Sequence, residues 1–172
     1  MSFQHYFGFC PIDPSLINDA QEFIDACDEE QAMSDEFLDQ ENMLMLGSRN
    51  AWLTHTIASE AKRLKLPLLQ ALETRNHLFS PQDIQALQAE IEEICRADGW
   101  DHADSWEDSD FEQAYEEVAN IEGVLATWQT REIESPDEGD SPFDLFICLF
   151  ALKELVAIAQ ENQQGLLYHS YN

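Results

Sequence analysis

Positive charge is what this chain most lacks: its 172 residues include eight Lys and Arg against 35 Asp and Glu, a formal net charge of −27. So few cations exclude a surface built to grip nucleic acid phosphates or an anionic membrane, both of which are held by basic side chains. Glycine and proline are also scarce, six of each. A sandwich or barrel with many tight turns would need more of both, so composition points to helices. The four cysteines, Cys10, Cys27, Cys95 and Cys148, are far apart and contain no C-x-x-C. That spacing supports neither a disulfide framework nor a zinc site, and Cys27 and Cys95 fall on apolar helix faces as small hydrophobes. Also missing are a G-x-S-x-G elbow, a phosphate-binding glycine loop, a GxGxxG and an H-E-x-x-H, which removes the common signatures of nucleophilic, nucleotide-dependent and zinc chemistry. Met1 to Pro14 has no basic segment followed by an apolar core, so no signal peptide is expected and the cytoplasm is the default compartment.

What is present is a large apolar fraction, 44% of residues, enough for one domain over 1–172 with a core of its own. The chain is organised around Ser141–Gly165. Ser141, Pro142 and Asp144 mark a helix start, and Gly165 suits its stop. Between them Leu145 to Leu152 leave no polar face, which is the mark of a buried helix. Lys153 and Glu154 interrupt the run short of the roughly 20 residues that cross a bilayer.

Amphipathic helices are expected to close around it. Asp13 and Pro14 open one whose inner stripe is Leu16, Ile17, Ala20, Phe23, Ile24 and Cys27. A second is expected from Ser34 to Leu46, stopped by Gly47. Asn50 begins a third, with Leu53, Ile57, Ala61 and Leu64 inward, that Pro67 breaks or kinks. Ser80 and Pro81 open a fourth with Ile84, Leu87, Ile91, Ile94 and Cys95, and Ser109 with Glu112 makes an S-x-x-E box for a fifth running through Tyr115 to Trp128. Residues 1–13, with Phe3, Tyr6, Phe7 and Phe9, read as an aromatic arm, 132–140 as an acidic linker, and Leu166–Asn172 as a short tail. The expected fold class is therefore all-α: a single-domain bundle of six or seven helices around a buried C-terminal one.

Charge is segregated along the chain. Residues 1–48 carry eleven acids and no Lys or Arg; 80–140 carry nineteen acids against Arg96 and Arg131. Between them, 49–79 holds Arg49, Lys62, Arg63, Lys65 and Arg75, whose simplest role is to relieve the acidic neighbours within the fold.

The densest acidic stretch gathers Asp98, Asp101, Asp104, Glu107, Asp108, Asp110 and Glu112 around Trp100, His102 and Trp106. It lacks the alternating acids and central glycine of a calcium loop, and no Glu-x-x-His pairs suit a bundle di-iron site; neither metal nor cofactor is expected. Trp100 and Trp106 as rigid anchors, with Asp101, Asp104, Glu107, Asp108 and Asp110 as a complementary field, make a candidate surface for a basic protein. The His55, Ser59 and Glu60 pattern has no oxyanion device beside it, and carboxylate pairs such as Glu90 with Glu93 and Glu112 with Glu116 read as exposed faces. The function expected is that of a cytoplasmic acidic binding protein, not an enzyme. It would neutralise a basic partner, either as an antitoxin- or immunity-type inhibitor of a toxin enzyme or as a nucleic-acid mimic. A small carboxylate or metal enzyme using residues 98–112, and an acidic chaperone or adaptor with a groove around Phe3, Phe7 and Phe9, are the alternatives.

Overall fold

A computed structural model of the chain describes residues 6–26, 32–39, 41–46, 51–96, 107–130 and 142–171. Phe3, Cys27 and the expected linker over 132–140 lie outside these. The order of elements is β1 (Tyr6–Ile12), α1 (Ile17–Ala26), β2 (Leu44–Leu46), α2 (Ala51–Arg63), β3 (His77–Phe79), α3 (Ile84–Cys95), α4 (Asp108–Ala119), α5 (Val124–Thr130), α6 (Pro142–Glu161) and β4 (Gly165–Tyr171). The fold is mixed α/β, which overturns the all-α bundle. The four strands form one antiparallel sheet in the order β2-β1-β4-β3.

The aromatic segment expected as an arm is an inner strand, and so is the expected tail. Phe7 lies opposite Ser170, Gly8 opposite His169, Phe9 opposite Tyr168 and Ile12 opposite Gly165. Alternation along this register gives the sheet two faces. Phe7, Phe9, Leu44, Leu46, Phe79, Leu166 and Tyr168 join the main core with the helices. Within it, Tyr168 stacks on Phe7 at 6.0 Å and on Phe9 at 4.9 Å. Cys10, Ile12, Leu167 and Leu78 join a second cluster with Ala20, Met33 and Phe37, under α1 and the 3-10 turn at Asp35–Phe37. The expected helix over Ser34–Leu46 is instead that turn followed by edge strand β2. Pro11 is tolerated in β1 because it lies beyond Phe9, the last residue paired with β2.

The buried central helix is present as α6, with Leu145, Phe146, Ile147, Cys148, Leu149, Leu152, Leu155 and Val156 all inside. It packs against α3, α4 and α5 on one side and against β1, β2 and β4 on the other. An all-apolar circumference suits a helix clasped between a sheet and a helical layer. The expected fifth helix is two. Asn120 closes α4, its Nδ2 donating to the Glu116 carbonyl at 2.9 Å, and Gly123 with φ +65° separates it from α5.

Two helices share one way of stopping. In α2 the Leu66 N–H reaches the Ala61 carbonyl at 2.7 Å and the Lys65 N–H reaches Lys62 at 3.3 Å; in α6 the corresponding bonds are Gln164 to Ala159 at 2.8 Å and Gln163 to Gln160 at 3.2 Å. These are Schellman closures, with Lys65 (φ 60°) and Gln163 (φ 57°) in the left-handed position that glycine fills best. α2 thus ends before Pro67 without a kink. The stop of α6 is Gln163. Gly165 is needed for close packing instead, because a Cβ there would sit 2.7 Å from the Phe79 carbonyl oxygen and 3.2 Å from Ile12 Cγ2. Urea unfolding should therefore separate two substitutions made two residues apart. Gln163→Gly is expected to raise stability by about 0.5–1 kcal/mol, whereas Gly165→Ala should lower it by about 1–3 kcal/mol through overpacking. Were Gly165 the helix stop, Gln163→Gly would bring no gain.

Candidate protein-binding surface

Of the seven residues expected to meet a partner, Trp100, Asp101, Asp104 and Trp106 lie outside the described residues, while Glu107, Asp108 and Asp110 form the start of α4. The cap is two residues upstream of the expected Ser109–Glu112 box. The Glu107 N–H donates to Asp110 Oδ2 at 2.8 Å, and the Asp110 N–H donates to the Glu107 carbonyl at 2.9 Å. Asp110 thereby satisfies an otherwise orphan donor, and its charge sits favourably at the helix N-terminus. Both Glu107 and Asp110 stay exposed.

The remaining acids divide into two populations. A few are buried or half-buried, and two of these hold other elements. Glu90, on α3, is buried, and its carboxylate accepts from the Leu68 N–H at 3.0 and 3.1 Å and from the Leu69 N–H at 3.0 Å. It therefore caps the 3-10 turn at Leu69–Glu73 from across the core. Burial raises its pKa, and the two backbone donors act against that rise. Glu154 of α6 does the same for α5, accepting from the Val124 and Leu125 N–H groups at 3.0 Å each. Glu60 is 1% exposed and bonded to Arg63, whose Nε lies 3.0 Å from its Oε2. His55 and Ser59, by contrast, face solvent. The expectation that Glu90 and Glu93 share an exposed face thus holds for Glu93 alone.

The second population faces solvent, and two helices carry several of its members each. On α1 these are Asp19, Glu22 and Asp25; on α4 they are Asp110, Glu112, Glu116 and Glu117, followed by Glu122. No Lys or Arg occurs from Tyr6 to Leu46 or from Glu107 to Thr130, so both helices carry exposed acids with no basic residue among them. The acidic stretch expected over 98–112 is continued C-terminally by the outward row of α4, where Glu112 and Glu116, read as an exposed face from their i, i+4 spacing, do face solvent. Some of the basic segment acts as expected: Arg63 engages Glu60. On α6, Lys153 pairs with Glu92 of α3 at 3.5 Å.

Among the described residues no group of three or more His, Cys, Asp and Glu is arranged to hold a metal. Burial pushes the thiols of Cys10, Cys95 and Cys148 up to about 11, 12 and 12, so they are poor nucleophiles. Among the described residues no helix is long and apolar enough to cross a membrane.

His169 is fully buried, its ring against Gly8, where an added Cβ would come within 3.1 Å of Cε1. Burial lowers its pKa from 6.5 to about 4. The folded protein then binds fewer protons at this site than the unfolded chain between those values, so the stability it contributes is present above 6.5 and is lost as pH falls toward 4. His169→Gln should remove up to about 3 kcal/mol of that pH dependence. The relief of acid–acid repulsion is common to both proteins and cancels in the difference. Unfolding measured from pH 7 to 4, with imidazole shifts followed by NMR, checks this; titration of the His169 ring near 6.5 in the folded state would contradict it.

No family model matches the chain, and neither the curated proteins nor the solved structures contain a match to it.

Proposed function

We propose that this chain is an acidic binding protein of the cytoplasm that neutralises a basic protein partner by electrostatic complementarity. The observation that carries this is the net charge of −27, together with two helices, α1 and α4, whose exposed acids have no basic residue among them. Self-repulsion of this size opposes compactness and is offset only in part within the fold, whereas it accelerates encounter with a cationic partner. The partner is a toxin enzyme, inhibited in the manner of an antitoxin or immunity protein, or a nucleic-acid-binding enzyme whose groove the carboxylates enter in place of phosphates. Trp100 and Trp106 supply apolar anchors beside Asp101, Asp104, Glu107, Asp108 and Asp110.

The test is affinity capture from the native lysate with washes at low and then high salt, followed by assay of the captured protein with and without a molar equivalent of this chain. A stoichiometric basic protein released by salt, and inhibited on re-addition, is the expected result. With that partner, Glu112→Gln, Glu116→Gln and Glu117→Gln combined should lower the association rate by roughly tenfold at low salt, while Trp100→Ala with Trp106→Ala should shorten the lifetime of the complex and leave association unchanged. A salt-insensitive captured set, or a partner whose activity is untouched, would contradict the proposal.

A further inference from the structure

An aromatic seam runs where α4 meets α6. Phe146 of α6 is buried, and two α4 rings meet it edge-on: Phe111 at 6.5 Å and 83°, and Tyr115 at 5.6 Å and 86°. Tyr115 also contacts Phe150, one helical turn further along α6, at 5.5 Å with 58° between ring planes. Phe111 and Phe146 belong to the core, but Tyr115 and Phe150 are only half-buried. Tyr115 therefore stands at a border. On one side of it Phe111, Ala114 and Val118 turn inward; on the other, Glu112 and Glu116 are exposed. At 3.6 residues per turn those two carboxylates lie about 60° and 100° round the helix from Tyr115.

Cations from within the chain do not compete for this edge among the described residues of the two helices. α4 carries no Lys or Arg, and Lys153 on α6 is drawn to Glu92 of α3. Half-exposed rings bordered by carboxylates match a guanidinium, which stacks flat on an aromatic face while its N–H groups reach neighbouring acids; an ammonium does the first less well and the second without the fork.

We propose that Tyr115 and Phe150, with Glu112 and Glu116, form a docking place for arginine side chains of the basic protein partner. This deepens the reading above, on which it rests, by naming the chemistry the surface selects: arginine over lysine at equal charge.

Two synthetic peptides with six Arg or six Lys at identical spacing, titrated into the full chain at low and high salt by calorimetry, test it. Both should bind and weaken with salt, the Arg peptide being tighter by about two- to fivefold. Tyr115→Leu and Phe150→Leu keep apolar bulk at the seam; each should bring the Arg peptide down toward the affinity of the Lys peptide without changing the latter. Glu112→Gln with Glu116→Gln should weaken both, and needs no core change to be informative. Equal affinity of the two peptides for the wild-type protein, or an Arg preference that survives both aromatic substitutions, would overturn the docking place and leave the basic-partner reading standing. Failure of both peptides to bind at low salt would overturn both.

Discussion

Pairing of β1 with β4 holds the remainder of this fold in place. Seven residues of each strand lie in register, from Tyr6 opposite Tyr171 to Ile12 opposite Gly165. Without that ladder the three-residue pairings of β2 with β1 and of β3 with β4 are left as isolated two-strand fragments, and α6 loses the sheet it packs on. The pairing tolerates no side chain at Gly8, where the Leu44 carbonyl and the His169 ring close in, nor at Gly165, where Phe79 and Ile12 do. Because it joins segments far apart in sequence, loop closure must precede the contacts that reward it, a demanding route for a chain that also repels itself.

Charge is handled by the same architecture. Buried Glu60 pairs with Arg63, while buried Glu90 and half-buried Glu154 are used against backbone N–H groups, Glu90 for Leu68 and Leu69, Glu154 for Val124 and Leu125. Such bonds fasten one element to another across the core and compensate the burial of a charge. The edge strand is closed in a related way, with Trp128 Nε1 donating to the Met45 carbonyl at 2.6 Å and Gln129 Nε2 to Met43 at 2.9 Å. α5 therefore seals one sheet edge that would otherwise be a template for pairing with other chains. Outside, α1 and α4 present exposed acids with no Lys or Arg among them.

The helices were legible in the sequence and the sheet was not, for a physical reason. α1, α2, α3 and α6 carry clear stripes or a continuous apolar run, and the central position of α6 followed from its lack of a polar face. β1 and β4 are covered on both faces: Phe9, Cys10, Pro11 and Ile12 are all buried, as are Gly165 through Ser170. A strand buried on both sides shows no alternation of period two, and Gly8 and Pro11 further disguised β1. β2 and β3 are too short to show any period. At the candidate surface the acids of α4 were readable as a charged face. The half-buried placement of Tyr115 and Phe150 was not, since a ring at the border of a helical stripe looks like one within it. That Glu90 and Glu154 turn inward depends on backbone donors many residues away, which local spacing does not encode.

Hydrogen exchange of the native protein, read segment by segment at neutral pH, decides whether the sheet is integral to the fold. Amides within 6–12 and 165–171 should be as strongly protected as those in the middle of α6, because these two strands form the centre of the sheet and open only when the whole protein does. Rapid exchange in both segments beside a protected α6 would instead mean an arm and a tail attached to a helical bundle, and the β1–β4 ladder would not be what holds the protein together.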